Sequence, residues 1–363
     1  MGRTGRPGRM KFNYLITAFI ILGSAALSAE APGSEPALGP LDGRNMYAPH
    51  LPWFSFSADT AAALPAGTVK AGSAVYILNE FSSYPFDPED SAYLPLEPDG
   101  RLSTVYQDEL TAMDYESTIL ELSLDWQALE KWRFSADWRL HLRYGGFMDS
   151  TIEWWHGLFG LSNAGREFFD QNRSHWNINS TSGLSMSGEG NVVAPGDLDL
   201  LALWSFWSSP KLKLAAKGAV KIPLGRQDGG FSSGYPDLGA EFLLDWHPFI
   251  RWGFYLNTGI IIPLAGGGKV MGQCIPAVEF RASKGISLLV QMNVQSSPII
   301  GELDYIHPTF GKTTMFALPQ TDLKIGIKGR MNRFGWQFYI EEDPLSWEGP
   351  DILLFFGADW TFQ

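Results

Sequence analysis

The chain has 363 residues and a formal net charge of −12; only 18% of residues are charged, yet 14% are aromatic. That length can bury one or two sizeable cores. The acidic balance, with no basic run past the first eleven residues, excludes a phosphate-neutralising nucleic-acid binder. The single cysteine, Cys274, excludes an internal disulfide framework and a cysteine-based zinc site.

The first element reads as an export signal over residues 1–28. Arg3, Arg6, Arg9 and Lys11 precede the apolar segment FNYLITAFIILGSAALS, and Ala26-Leu27-Ser28 offers small residues for cleavage. Its apolar part, Tyr14 to Leu27, is 14 residues long, short of the ~20 that a spanning helix needs.

From residue 68 onward, apolar side chains recur at alternate positions, the period of a strand. Twelve strands are predicted, at 68–81, 116–126, 131–145, 196–207, 211–223, 236–247, 250–263, 271–283, 285–296, 318–329, 333–342 and 352–362. The segment WRFSADWRLHLRYG shows the pattern: Trp132, Phe134, Ala136, Trp138, Leu140, Leu142 and Tyr144 alternate with Arg133, Ser135, Asp137, Arg139, His141 and Arg143. In KLKLAAKGAVKI, Lys211, Lys213, Lys217 and Lys221 share one face. The first strand is the weakest, with Lys70 and Glu80 on its wet side and Val75 and Ile77 opposite. Connections alternate strictly between long and short along the chain, so an up-and-down meander would gather all short turns at one end and all long loops at the other.

A soluble antiparallel sheet alternates too, with its oily face inward. Four features favour the opposite. Large aromatics such as Trp132, Trp204, Trp246, Trp252 and Trp360 sit near the ends of the apolar faces, as in the girdles of outer-membrane barrels. Strands of about 12 residues, tilted ~40°, stand roughly 30 Å tall, the height of a membrane band. The strand count is even. Closure would satisfy every backbone polar group in hydrocarbon. The expected fold is therefore all-β: a transmembrane up-and-down antiparallel β-barrel of about 12 strands, spanning 68–363, in contact with outer-membrane lipid. Residues 29–67 are expected as a periplasmic N-terminal segment, with the lumen as a second place for it. The last strand, ILLFFGADWTFQ, resembles the C-terminal signal read by the barrel-assembly machinery, shifted one residue by Gln363.

Twelve strands give a backbone radius near about 11 Å. The expected lumen lining is Glu121, Asp125, Arg133, Asp137, Arg139, Arg143, Lys213, Lys217, Glu241, Arg251 and Lys324, long enough to close most of the space. Glu121 or Asp125 is expected to pair with Arg133 or Arg139 on the next strand. The long loop 146–195 contains DSTIEWWHGLFG, with a capping-box pattern from Ser150 to Glu153 and glycines at 157 and 160 that limit a helix to about two turns. Its Trp154, Trp155, His156, Phe159 and Arg166 are expected as a constriction folded into the barrel mouth, with the membrane lip or a surface binding site as alternatives. Loop 224–235, rich in glycine, is expected to be a surface loop. The six histidines show no HExxH spacing, so no metal or cofactor is implied. The expected function is a narrow gated or plugged, non-enzymatic conduit for a small solute; a closed structural or surface-interaction barrel is the alternative, and a loop hydrolase using His156 or His175 with Ser162, Ser174, Asp149 or Asp170 the second alternative.

These features resemble an uncharacterised family of bacterial outer-membrane barrels, catalogued as domain of unknown function 3187. The carrying residues are Arg44-Asn45, Asn79-Glu80, WWHGLFGLSNAGR (His156, Arg166) and KIPLGRQDGGFSSGYPD (Lys221, Pro223, Gly225, Gly234, Asp237). The resemblance implies fold and location and carries over no catalytic residue.

Overall fold

The computed structural model describes residues 37–83, 111–160, 166–179, 185–265, 267–299, 318–342 and 352–363, with short pieces between them. The export signal expected over 1–28 lies outside the described residues. In chain order the strands are β1 (Val69–Ser83), β2 (Thr111–Leu129), β3 (Trp132–Tyr144), β4 (His175–Asn179), β5 (Ser185–Glu189), β6 (Val192–Ser208), β7 (Leu212–Ile222) and β8 (Asp237–Phe249). They continue with β9 (Trp252–Pro263), β10 (Met271–Ser283), β11 (Ile286–Gln295), β12 (Tyr305–His307), β13 (Gly311–Thr313), β14 (Gln320–Met331), β15 (Phe334–Glu342) and β16 (Ile352–Phe362). Among the described residues, the α-helix α1 (Asp149–Phe159) stands in the longest loop.

Twelve of these strands close a barrel, in the order β1-β16-β15-β14-β11-β10-β9-β8-β7-β6-β3-β2, with β2 returning to β1. Both sides of β1 are paired: Val69 faces Phe362 on β16 and Trp126 on β2. All barrel pairings are antiparallel, so no edge is left exposed. The tight turns at 130–131, 209–211, 250–251, 284–285 and 332–333 gather at one end, with the C-terminus. No described helix is long and apolar enough to cross a membrane, which says nothing about strands.

The faces are inverted relative to a soluble sheet. Leu122, Leu124, Trp126, Phe134, Leu200, Trp204, Phe242, Trp246, Ile260, Phe356 and Trp360 are exposed on the outside, while Arg133, Arg139, Arg143, Asp199, Lys217, Glu241 and Lys324 are buried within. Apolar exterior, buried charge and full closure together define a barrel built for lipid. At the short-turn end, Trp132 stacks on Phe134 and Trp204, with centroids 6.4 and 6.0 Å apart.

Several boundaries differ from the sequence expectation, among them the starts of β2, β6 and β14. Strand β2 starts at Thr111 because its upper part pairs with β1 (Glu80 to Tyr115) and with β4 (Met113 to Trp176). Both faces of that part are covered, so Met113, Asp114, Tyr115 and Glu116 are all buried and the alternation is lost. Strand β14 starts at Gln320 rather than 318 because Pro319 has no N–H for the ladder. The hairpin β4–β5 and the small pair β12–β13 were not predicted; each strand has five residues or fewer.

Candidate functional site: the plugged lumen

The lumen is not closed by wall side chains alone. Residues 37–67 fill it, as a chain without strand structure that enters and leaves by the short-turn end. On the way up, the Leu38 N–H donates to Glu279 Oε1 at 3.0 Å and the Asp42 N–H to Gln337 Oε1 at 3.0 Å. Arg44 reaches mid-barrel, its Nη1 2.6 Å from Asp199 and its Nε 3.7 Å from Glu121. Burial works against that charge, but Asp199, Glu121 and Asp137 more than offset it, so the Arg44 pKa is raised. Gly43 lets the segment pass Tyr339: a Cβ there would overlap the Tyr339 hydroxyl, and the Gly43 φ is +152°.

The segment turns over at the long-loop end through a 3-10 turn at Ala48–His50. The Ala48 N–H donates to Glu80 at 3.1 Å. Lys221 Nζ, held 3.0 Å from Asp237 and 3.3 Å from Asp197, donates to the Pro52 carbonyl, which also accepts the Ser233 N–H at 3.0 Å. The Phe54 N–H goes to Asp237 at 2.7 Å, and the Gly225 N–H to Asp197 at 2.8 Å. Thus Lys221, Gly225 and Asp237 join wall, loop and plug in one network. His50 Nδ1 meets Asn45 Nδ2 at 3.2 Å, and burial together with the Lys269 charge lowers its pKa to about 3.

On the way down, Asp59 lies against Arg133 and 3.5 Å from Lys217. Burial would raise the Asp59 pKa, but these two cations hold it below the usual carboxylate range. Ala61 donates to Asp245 at 3.0 Å and Leu64 to Gln127 at 3.1 Å before residues 65–67 emerge exposed. Apolar plug residues pack on inward apolar residues of wall and loop hairpin: Leu41, Met46 and Leu51 with Tyr76, Leu289, Tyr339 and Phe355, and Tyr47, Trp53, Phe54 and Phe56 with Tyr115 and Ile261 of the wall and Trp176 of β4.

The predicted lining residues sit on inward positions of β2, β3, β7, β8 and β14, except Arg251, which lies in the turn between β8 and β9. Lys217–Glu241 at 2.7 Å and Lys324–Glu341 at 3.1 Å are cross-strand pairs in register. Lys213 faces Asp245 across the same strands, and Asp137 faces Asp199. The expected pairing between β2 and β3 does not form. Arg139 turns to Asp199 at 2.9 Å, Arg133 to Asp59 of the plug, Glu121 to Arg44 and Asp125 to Lys70 at 2.9 Å. Two of these partners, Asp59 and Arg44, belong to the plug and were absent from the strand-by-strand expectation; the other two, Asp199 and Lys70, stand on the neighbouring strands β6 and β1. Arg143 stacks instead on rings, its guanidinium carbon 4.7 Å from Tyr115, 4.9 Å from Trp176 and 4.2 Å from Phe231.

In the longest loop, α1 lays Ile152 and His156 inward, but Trp154 is 64% exposed and is therefore not part of a constriction. Trp155 is half-buried, Arg166 is buried, and the Phe159 side chain lies outside the described residues. The Ser150 capping box is not formed: Met148 is the N-cap, and no side chain caps the helix. Its Phe147 and Met148 amides go to Glu116 instead. Gly157 stays helical and only Gly160, with φ 60°, ends the helix. Asp149 ties the loop down, with Arg166 at 2.6 Å, Asn79 at 3.1 Å and the Asn172 N–H at 2.6 Å. His156 Nδ1 meets Asn163 Oδ1 at 3.1 Å; Ser162 lies outside the described residues. The glycine-rich loop is tightly turned rather than open, with Phe231 buried beside His141 and Arg143.

Fold and lumen define a class: an integral β-barrel of the bacterial outer membrane, apolar outside and plugged inside. The chain belongs to the family described as Protein of unknown function (DUF3187), whose model matches residues 101–362. No curated protein matches it in sequence. Among solved structures it is similar to the COG4313 outer membrane channel from Pseudomonas putida F1, at 13% identity and a TM-score of 0.48, covering 83% of this chain and 97% of that one. It is also similar to the KdgM porin, at 5% identity and a TM-score of 0.38, covering 80% and 99% of the two chains. A third is the TodX deltaS2S3 mutant monoaromatic hydrocarbon channel, at 11% identity and a TM-score of 0.37, covering 88% and 98%.

Proposed function

We propose that the chain is an outer-membrane conduit for a small solute, held shut by its own residues 37–67. In this reading residues 1–28 direct export, β16 presents the C-terminal signal to the barrel-assembly machinery, short turns face the periplasm and long loops face outward. The plug then enters and leaves from the periplasmic side. One observation carries the reading. The segment forms no strand of the barrel, and hydrogen bonds, ion pairs and apolar packing hold it to wall and loops. Its departure would leave the twelve-strand ladder whole. A static wall would be closed more cheaply by large side chains, without the entropy lost in ordering about thirty residues.

Planar-bilayer recording tests it, using full chain with a protease site inserted in the exposed linker 65–67. The intact protein should be silent, and cleavage followed by mild urea should give discrete conductance steps. Silence with the segment demonstrably released would leave a closed barrel. That second reading, a surface-interaction barrel, draws on the exposed Phe147, Trp154 and Leu158 around α1; binding lost on Trp154→Ala, without conductance, would favour it.

A further inference from the structure

Three wall side chains hold the plug in one repeated way. Gln291 accepts the Leu41 N–H at 3.0 Å and donates back to the Leu41 carbonyl at 3.1 Å. Gln273 does the same to Phe56, at 2.9 and 2.9 Å. Asn257 does it to Asp59, at 2.9 and 3.1 Å. A carboxamide carries a donor and an acceptor side by side, so each clamp copies the paired bonds by which one antiparallel strand reads another. Such contacts ignore the side chain of the residue they grip.

The clamps lie on adjacent strands, β9, β10 and β11, and all three amides are buried. Gln273 is braced in turn by donating to Asn293 at 3.1 Å. Side chains are read elsewhere, at two charged subsites. Arg44, three residues after Leu41, meets Asp199 and Glu121; Asp59, three residues after Phe56, meets Arg133 and Lys217. Any buried backbone must be satisfied. Satisfaction alone does not call for the same two-bond clamp on both limbs, each followed by a charge-selective pocket.

We propose that the lumen is a cradle for a peptide main chain laid along two limbs, and that residues 37–64, which turn over at Ala48–His50, are its tethered occupant. The solute class is an oligopeptide with Arg or Lys three residues past the position gripped by Gln291. The solute assignment rests on the conduit reading; the cradle itself does not. Main-chain hydrogen bonds supply affinity in this mode, and the pockets supply selectivity.

The test uses the full chain with the cleavable 65–67 linker, cut after folding, and a fluorescent synthetic peptide of residues 37–66. Saturable exchange into the lumen is expected. N-methylation at Leu41, Phe56 and Asp59 together should weaken competition by about tenfold or more, because three amide donors are lost. N-methylation at the exposed Ala66 should change nothing. A peptide of unrelated sequence that keeps only Gly43, Arg44 and Asp59 should still compete. Undiminished competition by the triply methylated peptide, or competition by the native sequence alone, overturns the proposal. If current appears after release but peptide neither binds nor blocks it, the cradle fails and the conduit stands. If peptide exchanges but no current appears, the conduit fails, and the cradle stands as a binding site without transport.

Discussion

Arg44 ties the plug to the wall by charge at mid-barrel. It meets the buried Asp199, which it shares with Arg139, and the partly buried Glu121, and its guanidinium lies 5.7 Å from the Phe54 ring centre. Removing one partner of a buried ion pair costs about 3–5 kcal/mol when the other charge is stranded; here Arg139 still holds Asp199, so the loss is smaller and falls on Glu121. Arg44→Met should therefore lower the urea concentration that exposes a cysteine-labelled plug residue, while far-UV circular dichroism of the barrel stays unchanged. His50 gives the plug a pH dependence. Its pKa falls from 6.5 to about 3 on folding, by burial first and then by Lys269. A histidine with a depressed folded pKa stabilises the folded state above its unfolded value. That contribution is lost progressively as pH falls from about 6.5 toward 3. Plug protection, measured by labelling between pH 7 and 4.5, should fall in the native chain and stay flatter in His50→Gln. Asp59, whose carboxyl is held under the ordinary range, loses its contribution only as pH falls through that range, below the pH 7 to 4.5 interval of the labelling.

Among the elements, strands were legible and the pieces between them were less so. Alternation in β3, β7, β11 and β16 marks which side meets lipid, because a one-residue slip would put Arg139 or Lys217 into hydrocarbon. The same logic missed Gln273, Asn257 and Gln291. They occupy inward positions, but uncharged amides were overlooked beside Arg and Lys. Large apolar residues such as Leu289, Tyr339 and Phe355 also face inward, toward the plug rather than water. Loop 146–195 shows a similar limit. Its helix and end glycine were readable, whereas its anchoring depends on Asp149 meeting Asn79 and Arg166, a contact that no local pattern encodes. Asp149→Asn weakens three bonds at once. It should make α1 several-fold more sensitive to limited proteolysis, with the heat-modifiable gel shift of the folded barrel retained.

For the whole molecule, two layers are nested: a lipid-facing wall set by period-two sequence, and a segment threaded through it with no period at all. Residues 37–67 gave no pattern because their amides bond to wall side chains, so neither a helix nor a strand repeat constrains them. The wall could be read from the sequence, and its twelve-strand count and end-sorted connections are those of the structure. The plug could be placed only as one of two alternatives. Amide hydrogen exchange on detergent-folded protein tests the nested arrangement most directly. Peptides covering residues 38–61 should exchange as slowly as those from β9 and β10. Exchange of that segment at unprotected rates, with the strands still protected, would contradict it.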